Sequence, residues 1–180
     1  QIIASGQKAA DIGEIRNHVM YPLDIMLYLV PEKPQTVYCV SGAFFFENAK
    51  EKGVEDLAFI TMNCDRGIIA STSIGRTPHD HINGYSGDRT LQVLGTHGWI
   101  FLDLSRPSWH TYGKTGSRSL PFQPNFVYEM VDHFLDSIID DKIPMCGPQD
   151  ACDTLEITLA ALESAKTGKV VKMPFKEQRK

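Results

Sequence analysis

Two runs of strand-forming residues, 57–64 and 68–74, are separated only by Asp65-Arg66-Gly67. So short a connection, with a glycine available for positive φ, predicts an antiparallel hairpin. A second hairpin follows by the same logic, with arms 89–94 and 99–104 joined through Gly95-Thr96-His97-Gly98. Residues 37–46, rich in β-branched and aromatic side chains, read as a further strand, and 169–173 as a closing one.

Helical signals surround these strands. Residues 22–30 carry apolar side chains on most sides, open with Pro22 and stop at Pro31, which predicts a short buried helix. A later helix places Val127, Met130, Val131, Phe134 and Ile138 on one face and turns Glu129, Asp132, Asp136 and Asp140 outward. Another starts near Pro148 and ends with Lys166 before Gly168. Residues 47–55, 76–87 and 105–123 read as loops, and no internal repeat or low-complexity tract interrupts the pattern.

Four or five mainly antiparallel strands with three helices predict an α+β sandwich, the helices covering one face of the sheet. On the second face, alternation opposes Leu57, Phe59, Thr61 and Asn63 to Ala58, Ile60, Met62 and Cys64, and neither set suits full solvation. That face is expected to pack against another copy of the chain in a homo-oligomer.

The chain of 180 residues, 42% apolar and 22% charged, has a globular composition and the length of a single domain, 1–180. Its net charge of −4 provides no positive field for nucleic acid or anionic lipid. No apolar run approaches the roughly 20 residues that span a bilayer. The opening Gln1-Ile2-Ile3-Ala4-Ser5-Gly6 lacks an initiator Met and the order of a secretory signal, and reads as a cut inside a longer chain. Cys39, Cys64, Cys146 and Cys152 form no C-x-x-C pair or disulfide framework, so a reducing cytoplasm is expected. Cys152 shares a stripe with Leu155, Leu159 and Leu162, and packing explains it.

Several motif fragments carry no chemistry. Gly113-Lys114-Thr115 has Ser108 where a phosphate loop needs glycine, and no G-x-G-x-x-G exists to cradle a dinucleotide. His79-Asp80-His81 supplies two ligands without a third, so a polar loop is favoured over a metal site. The 106–118 stretch, with Trp109, His110, Tyr112 and Lys114, has the side chains of a polar pocket but reads first as a surface loop.

The informative segment is 13–24, Gly-Glu-Ile-Arg-Asn-His-Val-Met-Tyr-Pro-Leu-Asp, where hydrogen-bonding side chains gather at the start of a buried helix. Such clustering is costly unless partners or ligands exist. Asn17, Tyr21 and Asp24 recur at helical spacing and share a direction; the plainer reading has Asn17 or Asp24 capping the backbone.

Taken with Asp56-Leu57-Ala58-Phe59-Ile60, Gly67-Ile68-Ile69-Ala70, Leu91-Gln92-Val93-Leu94-Gly95-Thr96-His97-Gly98 and 155–168, this segment resembles the C-terminal domain of the Gfo/Idh/MocA oxidoreductases over nearly the whole chain. The resemblance implies a substrate-binding and oligomerisation domain built on a large, open, mostly antiparallel sheet, with the NAD- or NADP-binding half preceding Gln1 and no cofactor held by this chain alone. The family's helix start, D-x-G-x-H-x-x-D, falls on Asn17, Val19, Tyr21 and Asp24, so only the last position is kept. A tyrosine replaces the histidine in a branch resembling glucose–fructose oxidoreductase and the dihydrodiol dehydrogenases. The resemblance thus implies Tyr21 as the catalytic residue, with Arg16, Asn17, His18 and Asp24 binding a sugar or polyol. A phenol needs a neighbouring cation or a relay to exchange that proton near neutral pH. Glu32-Lys33-Pro34 echoes the family's Glu-Lys-Pro but stands in the wrong place and reads as coincidence. The alternative is a non-catalytic sugar-binding or dimerisation module, consistent with Asn17 in place of the aspartate.

Overall fold

The computed structural model describes residues 11–30, 32–76, 89–104, 108–113, 116–121 and 125–175. His79-Asp80-His81, nearly all of the 76–87 loop, and the chain's first ten residues lie outside them. Two compact units are present, one made of 1–78 with 145–180 and the other of 79–144.

The first unit holds α1 (Glu14–His18), α2 (Met20–Leu29), β1 (Pro34–Gly42), α3 (Glu47–Lys52), β2 (Leu57–Cys64), β3 (Ile69–Gly75), α5 (Pro148–Thr167) and β8 (Val171–Lys172). Its sheet runs β3-β2-β1-β8, antiparallel at every pairing. The β2–β3 hairpin forms as expected, and its turn takes positive φ at Arg66 (56°) as well as Gly67 (76°).

Alternation along β1 and β2 sends Val37, Cys39, Ala58, Ile60 and Met62 to one face. There they meet Ile15, Val19 and Leu23 from α1 and α2, and Ile157, Ala160 and Ala161 from α5. Burying each large aliphatic side chain contributes about 1.5–3 kcal/mol. The opposite face of the sheet is open, with Phe59 56% and Val40 52% exposed and Tyr38 beside them. In this unit α1, α2 and α5 cover one face of the sheet, as their apolar stripes require.

Five local expectations are corrected. The first helix starts at Met20 and follows a separate turn of helix, α1; Pro22 has no N–H to give the His18 carbonyl, so the ladder breaks there. The strand expected over 37–46 ends at Gly42, and the expected loop after it contains α3, because Asp56 accepts the N–H groups of Phe44, Phe45 and Phe46 and turns the chain into a helix. Of the expected stripe, Cys152 and Leu155 face solvent, whereas Leu159 and Leu162 are half-buried and Leu162 packs against the core; α5 buries Thr154, Ile157, Thr158, Ala160, Ala161 and Ser164 most deeply, mostly small side chains that let the helix approach the sheet closely. The closing strand is only two residues long, although the Met173 N–H adds a bond to the Gln35 carbonyl at 2.8 Å. Finally, the single large sheet is two sheets of four strands.

That second sheet belongs to the other unit and runs β4-β5-β6-β7, from β4 (Thr90–Gly95), β5 (Gly98–Asp103), β6 (Ser108–Gly113) and β7 (Gly116–Pro121). The expected β4–β5 hairpin is present with a two-residue connection, whereas the loop expected over 105–123 contains the β6–β7 hairpin. Serine, histidine and glycine in 108–121 mask a strand signal that cross-strand pairing supplies. The helix α4 (Phe126–Ile139) has the expected extent, but Val127, Met130, Val131, Phe134 and Ile138 remain exposed, with Ser137 its buried residue.

A buried serine ties elements of the first unit together. Ser164 Oγ accepts the Cys39 N–H at 2.9 Å and donates to the Lys169 carbonyl at 2.6 Å, joining α5 to β1. The Cys39 thiol beside it is pushed up from 9.0 to about 11, first by burial and then by the Glu55 charge. Between those values the unfolded chain loses this proton before the folded one, so stability is full below pH 9 and falls as pH rises through 11. Urea unfolding at pH 8.5 and 10.5 should show wild type losing about 2 kcal/mol more than Cys39→Ala over that interval. Equal losses would contradict the assignment.

Candidate functional site

The site expected over 13–24 is built on α1 and α2. Neither helix start is capped by its own side chain, so the plainer reading of Asn17 or Asp24 as a cap is not what the chain does. Glu55, forty residues away, does it instead. Its carbonyl accepts the Glu14 N–H at 3.1 Å and its Oε1 accepts the Ile15 N–H at 2.8 Å. This contact requires Gly13, whose φ is 80° and whose position leaves no room for a Cβ, which would lie 2.4 Å from Glu55 Oε1. Gly13→Ala is expected to cost about 2 kcal/mol by both routes; chemical denaturation checks it, and an unchanged midpoint would refute it.

So anchored, α1 projects a polar cluster. Glu14, 1% exposed, accepts the Arg76 Nε–H at 2.9 Å through Oε1 and meets His18 Nδ1 at 2.6 Å through Oε2. Asn17 Nδ2 lies 3.1 Å from the same Nδ1, and the His18 and Tyr21 ring centroids are 6.2 Å apart. Tyr21 is 63% exposed, so its ring is open to a ligand.

The structure thus brings Asn17, His18 and Tyr21 together. Asp24 is half-buried one turn further along α2, with the Cys146 Sγ 3.8 Å from its Oδ1. The Cys146 thiol is pushed up by burial and then by the charges of Asp24 and Asp150. Arg16 is exposed and takes no part in the contacts that tie the cluster. Sequence reasoning missed Glu14 and Arg76. Glu14 stands four residues before His18, a helical pair in plain view, whereas Arg76 joins only through the β2–β3 hairpin.

Elsewhere, Lys33 of Glu32-Lys33-Pro34 donates to Asp153 at 2.6 Å, a bond that raises the Lys33 pKa. Partial burial pushes Asp153 upward, but the Lys33 and Gln149 hydrogen bonds outweigh it and leave that carboxyl below its ordinary value. Glu32 pairs with Arg66. In the 106–118 stretch His110 lies 6.3 Å from Phe101, centroid to centroid. Among the described residues no group of three or more His, Cys, Asp or Glu side chains is arranged to hold a metal. None of their helices is long and apolar enough to cross a membrane.

The pyrophosphate cradle of a dinucleotide site needs a parallel strand, a glycine-rich turn and a helix start, and among the described residues every strand pairing is antiparallel.

The described elements, two antiparallel four-stranded sheets with helices, define an α+β fold. The family model described as the GFO/IDH/MocA C-terminal domain matches residues 5–101, and the chain belongs to that family. Among solved structures, an oxidoreductase from Agrobacterium radiobacter in complex with NAD+, L-tartaric acid and magnesium is similar at TM-score 0.75 and 18% identity, over 91% of this chain and 50% of that one. The UDP-N-acetylglucosamine 3-dehydrogenase from Acidithiobacillus ferrooxidans aligns at TM-score 0.72 and 16% identity, over 84% of this chain and 47% of its own. Myo-inositol 2-dehydrogenase from Lactobacillus plantarum aligns at TM-score 0.68 and 20% identity, over 89% and 48%. The chain spans about half the length of these structures. No curated protein matches its sequence.

Proposed function

We propose that this chain is the substrate-binding and oligomerisation domain of an NAD(P)-dependent oxidoreductase acting on a sugar, polyol or related hydroxy compound. The observation that carries the reading is the exposed Tyr21 phenol beside Asn17 and His18 on an anchored helix start, in a domain of this family. Tyr21 takes the proton from the hydroxyl of the carbon being oxidised, and Asn17, His18 and Asp24 orient neighbouring hydroxyls, with Arg16 at the margin. A nicotinamide dinucleotide, when bound by the rest of the protein, accepts the hydride; no residue of this chain is assigned to that step. The relatives that bind NAD+ or are named for inositol and nucleotide-sugar substrates support this class of chemistry.

The domain spans 1–180, both compact units included, and works with a nucleotide-binding part outside it, in the cytoplasm. Its open sheet face, with Phe59, Val40 and Tyr38, packs against a second copy, because an apolar patch of this kind is costly to leave in water. Light scattering of the chain at micromolar concentration should give at least twice the monomer mass, and Phe59→Lys should return it to monomer. A monomeric wild type would reject the interface.

The alternative, a non-catalytic sugar-binding or dimerisation module, is favoured by Asn17, which keeps hydrogen bonding but not the charge of the family's aspartate. Whole protein carrying this domain, assayed with NAD+ and NADP+ against myo-inositol and related polyols, separates the two. Reduction of the nucleotide supports the oxidoreductase; polyol binding without reduction supports the module.

A further inference from the structure

The Tyr21 phenol needs somewhere to send its own proton, and the buried Glu14 has no role in the reading above. We propose that Glu14 is a positioning residue that holds His18 with Nδ1 protonated and Nε2 accepting, making His18 the relay for Tyr21. This rests on the proposed function.

Three observations carry it. Glu14 is a nearly fully buried carboxylate whose Oε2 meets His18 Nδ1 at 2.6 Å, short enough for a charge-assisted bond. A carboxylate can only accept there, so the shorter bond puts the hydrogen on Nδ1 and leaves Nε2 its lone pair, which requires the Asn17 amide, 3.1 Å from the same Nδ1, to turn its oxygen rather than its NH2 toward the ring. Glu14 is itself fixed by Arg76, 12% exposed, so the carboxylate keeps its place and its orientation. The His18 side chain is 43% exposed, and its ring centroid lies 6.2 Å from that of Tyr21, so solvent reaches both rings.

The proton balance is simple. As the substrate hydroxyl gives its proton to Tyr21 Oη, the phenolic proton passes to His18 Nε2. A neutral phenol and an imidazolium remain, the latter beside the Glu14 carboxylate. The groups facing His18 are Glu14 and the Asn17 amide on its own helix, Tyr21 on α2, and, through Glu14 and α1, Arg76 at the end of β3 and Glu55 before β2.

The test has two arms. Nitrogen-15 NMR of the 180-residue chain, with no turnover needed, should show His18 as the Nδ1–H tautomer in wild type, with the tautomers mixing in Glu14→Ala. An Nε2–H tautomer in wild type overturns the proposal even if the Glu14 variant fails to fold. In whole protein turning over myo-inositol with NAD+, His18→Ala should lower kcat about 10²-fold with KM within twofold, and added imidazole should recover part of the loss. A kcat within threefold of wild type, or a loss that imidazole leaves untouched, overturns the relay while leaving Tyr21 in place. Wild-type protein inert toward all polyols defeats the proposed function instead, and the tautomer still decides the Glu14–His18 geometry.

Discussion

Asp56→Ala should unfold the first unit or lower its stability by about 3–5 kcal/mol. Asp56 is completely buried, and its carboxylate accepts the N–H of Phe44 at 2.9 Å, of Phe45 at 2.8 Å and of Phe46 at 3.0 Å. Its backbone is engaged as well: its N–H donates to the Gly42 carbonyl at 3.0 Å, and its carbonyl accepts the Arg76 N–H at 2.9 Å. One residue therefore joins the end of β1, the start of α3, the start of β2 and the end of β3. Truncation strands three amides, each costing about 1–3 kcal/mol where water cannot replace the lost partner. Partial hydration of the cavity brings the total below the simple sum. Because Arg76 leaves this knot to reach Glu14, the damage should spread to the cluster on α1. Urea unfolding measures the first effect, and loss of the His18–Glu14 contact in NMR the second. A variant with a wild-type midpoint would show that the three amides find other partners.

The second large effect is catalytic. In whole protein carrying this domain, Tyr21→Phe should lower kcat by about 10²–10⁴-fold, the usual contribution of a positioned acid–base group. Its midpoint of unfolding should stay within about 0.5 kcal/mol of wild type, because Tyr21 is exposed and the ring is retained. Loss of rate without loss of stability is what separates a proton-transferring phenol from a packing residue. Full turnover in Tyr21→Phe would remove the phenol from the chemistry and leave Asn17, His18 and Asp24 as binding groups.

How much of this was legible in the residues follows from the range of the interactions involved. The β2–β3 and β4–β5 hairpins could be read because alternation and a short connection are local facts. The 20-residue helix α5 could be read because Pro148, Lys166 and Gly168 mark its ends within a turn. The face of that helix that packs inward could not, since Leu155 is more hydrophobic than Thr154 or Ser164 and yet stands 56% exposed. Close approach to a sheet selects small side chains, and the sequence does not say which side the sheet is on.

The site divides along the same line. Asn17, His18 and Tyr21 come together through helical spacing alone, and the resemblance that singled them out lies in eight consecutive residues. What makes them a cluster on a fixed frame comes from far along the chain. Glu55 caps α1 across forty residues and Arg76 pairs Glu14 across sixty-two.

The sequence by itself determined the antiparallel hairpins, the helix ends, the family and the row of polar side chains before Asp24, because each depends on neighbours within a few residues. Only the tertiary structure decided that Glu14 would be buried between a guanidinium and an imidazole, that Asp56 would gather three phenylalanine amides, and which face of each helix meets the sheet. Those outcomes depend on hydrogen bonds and desolvation between segments that meet only after the chain has folded.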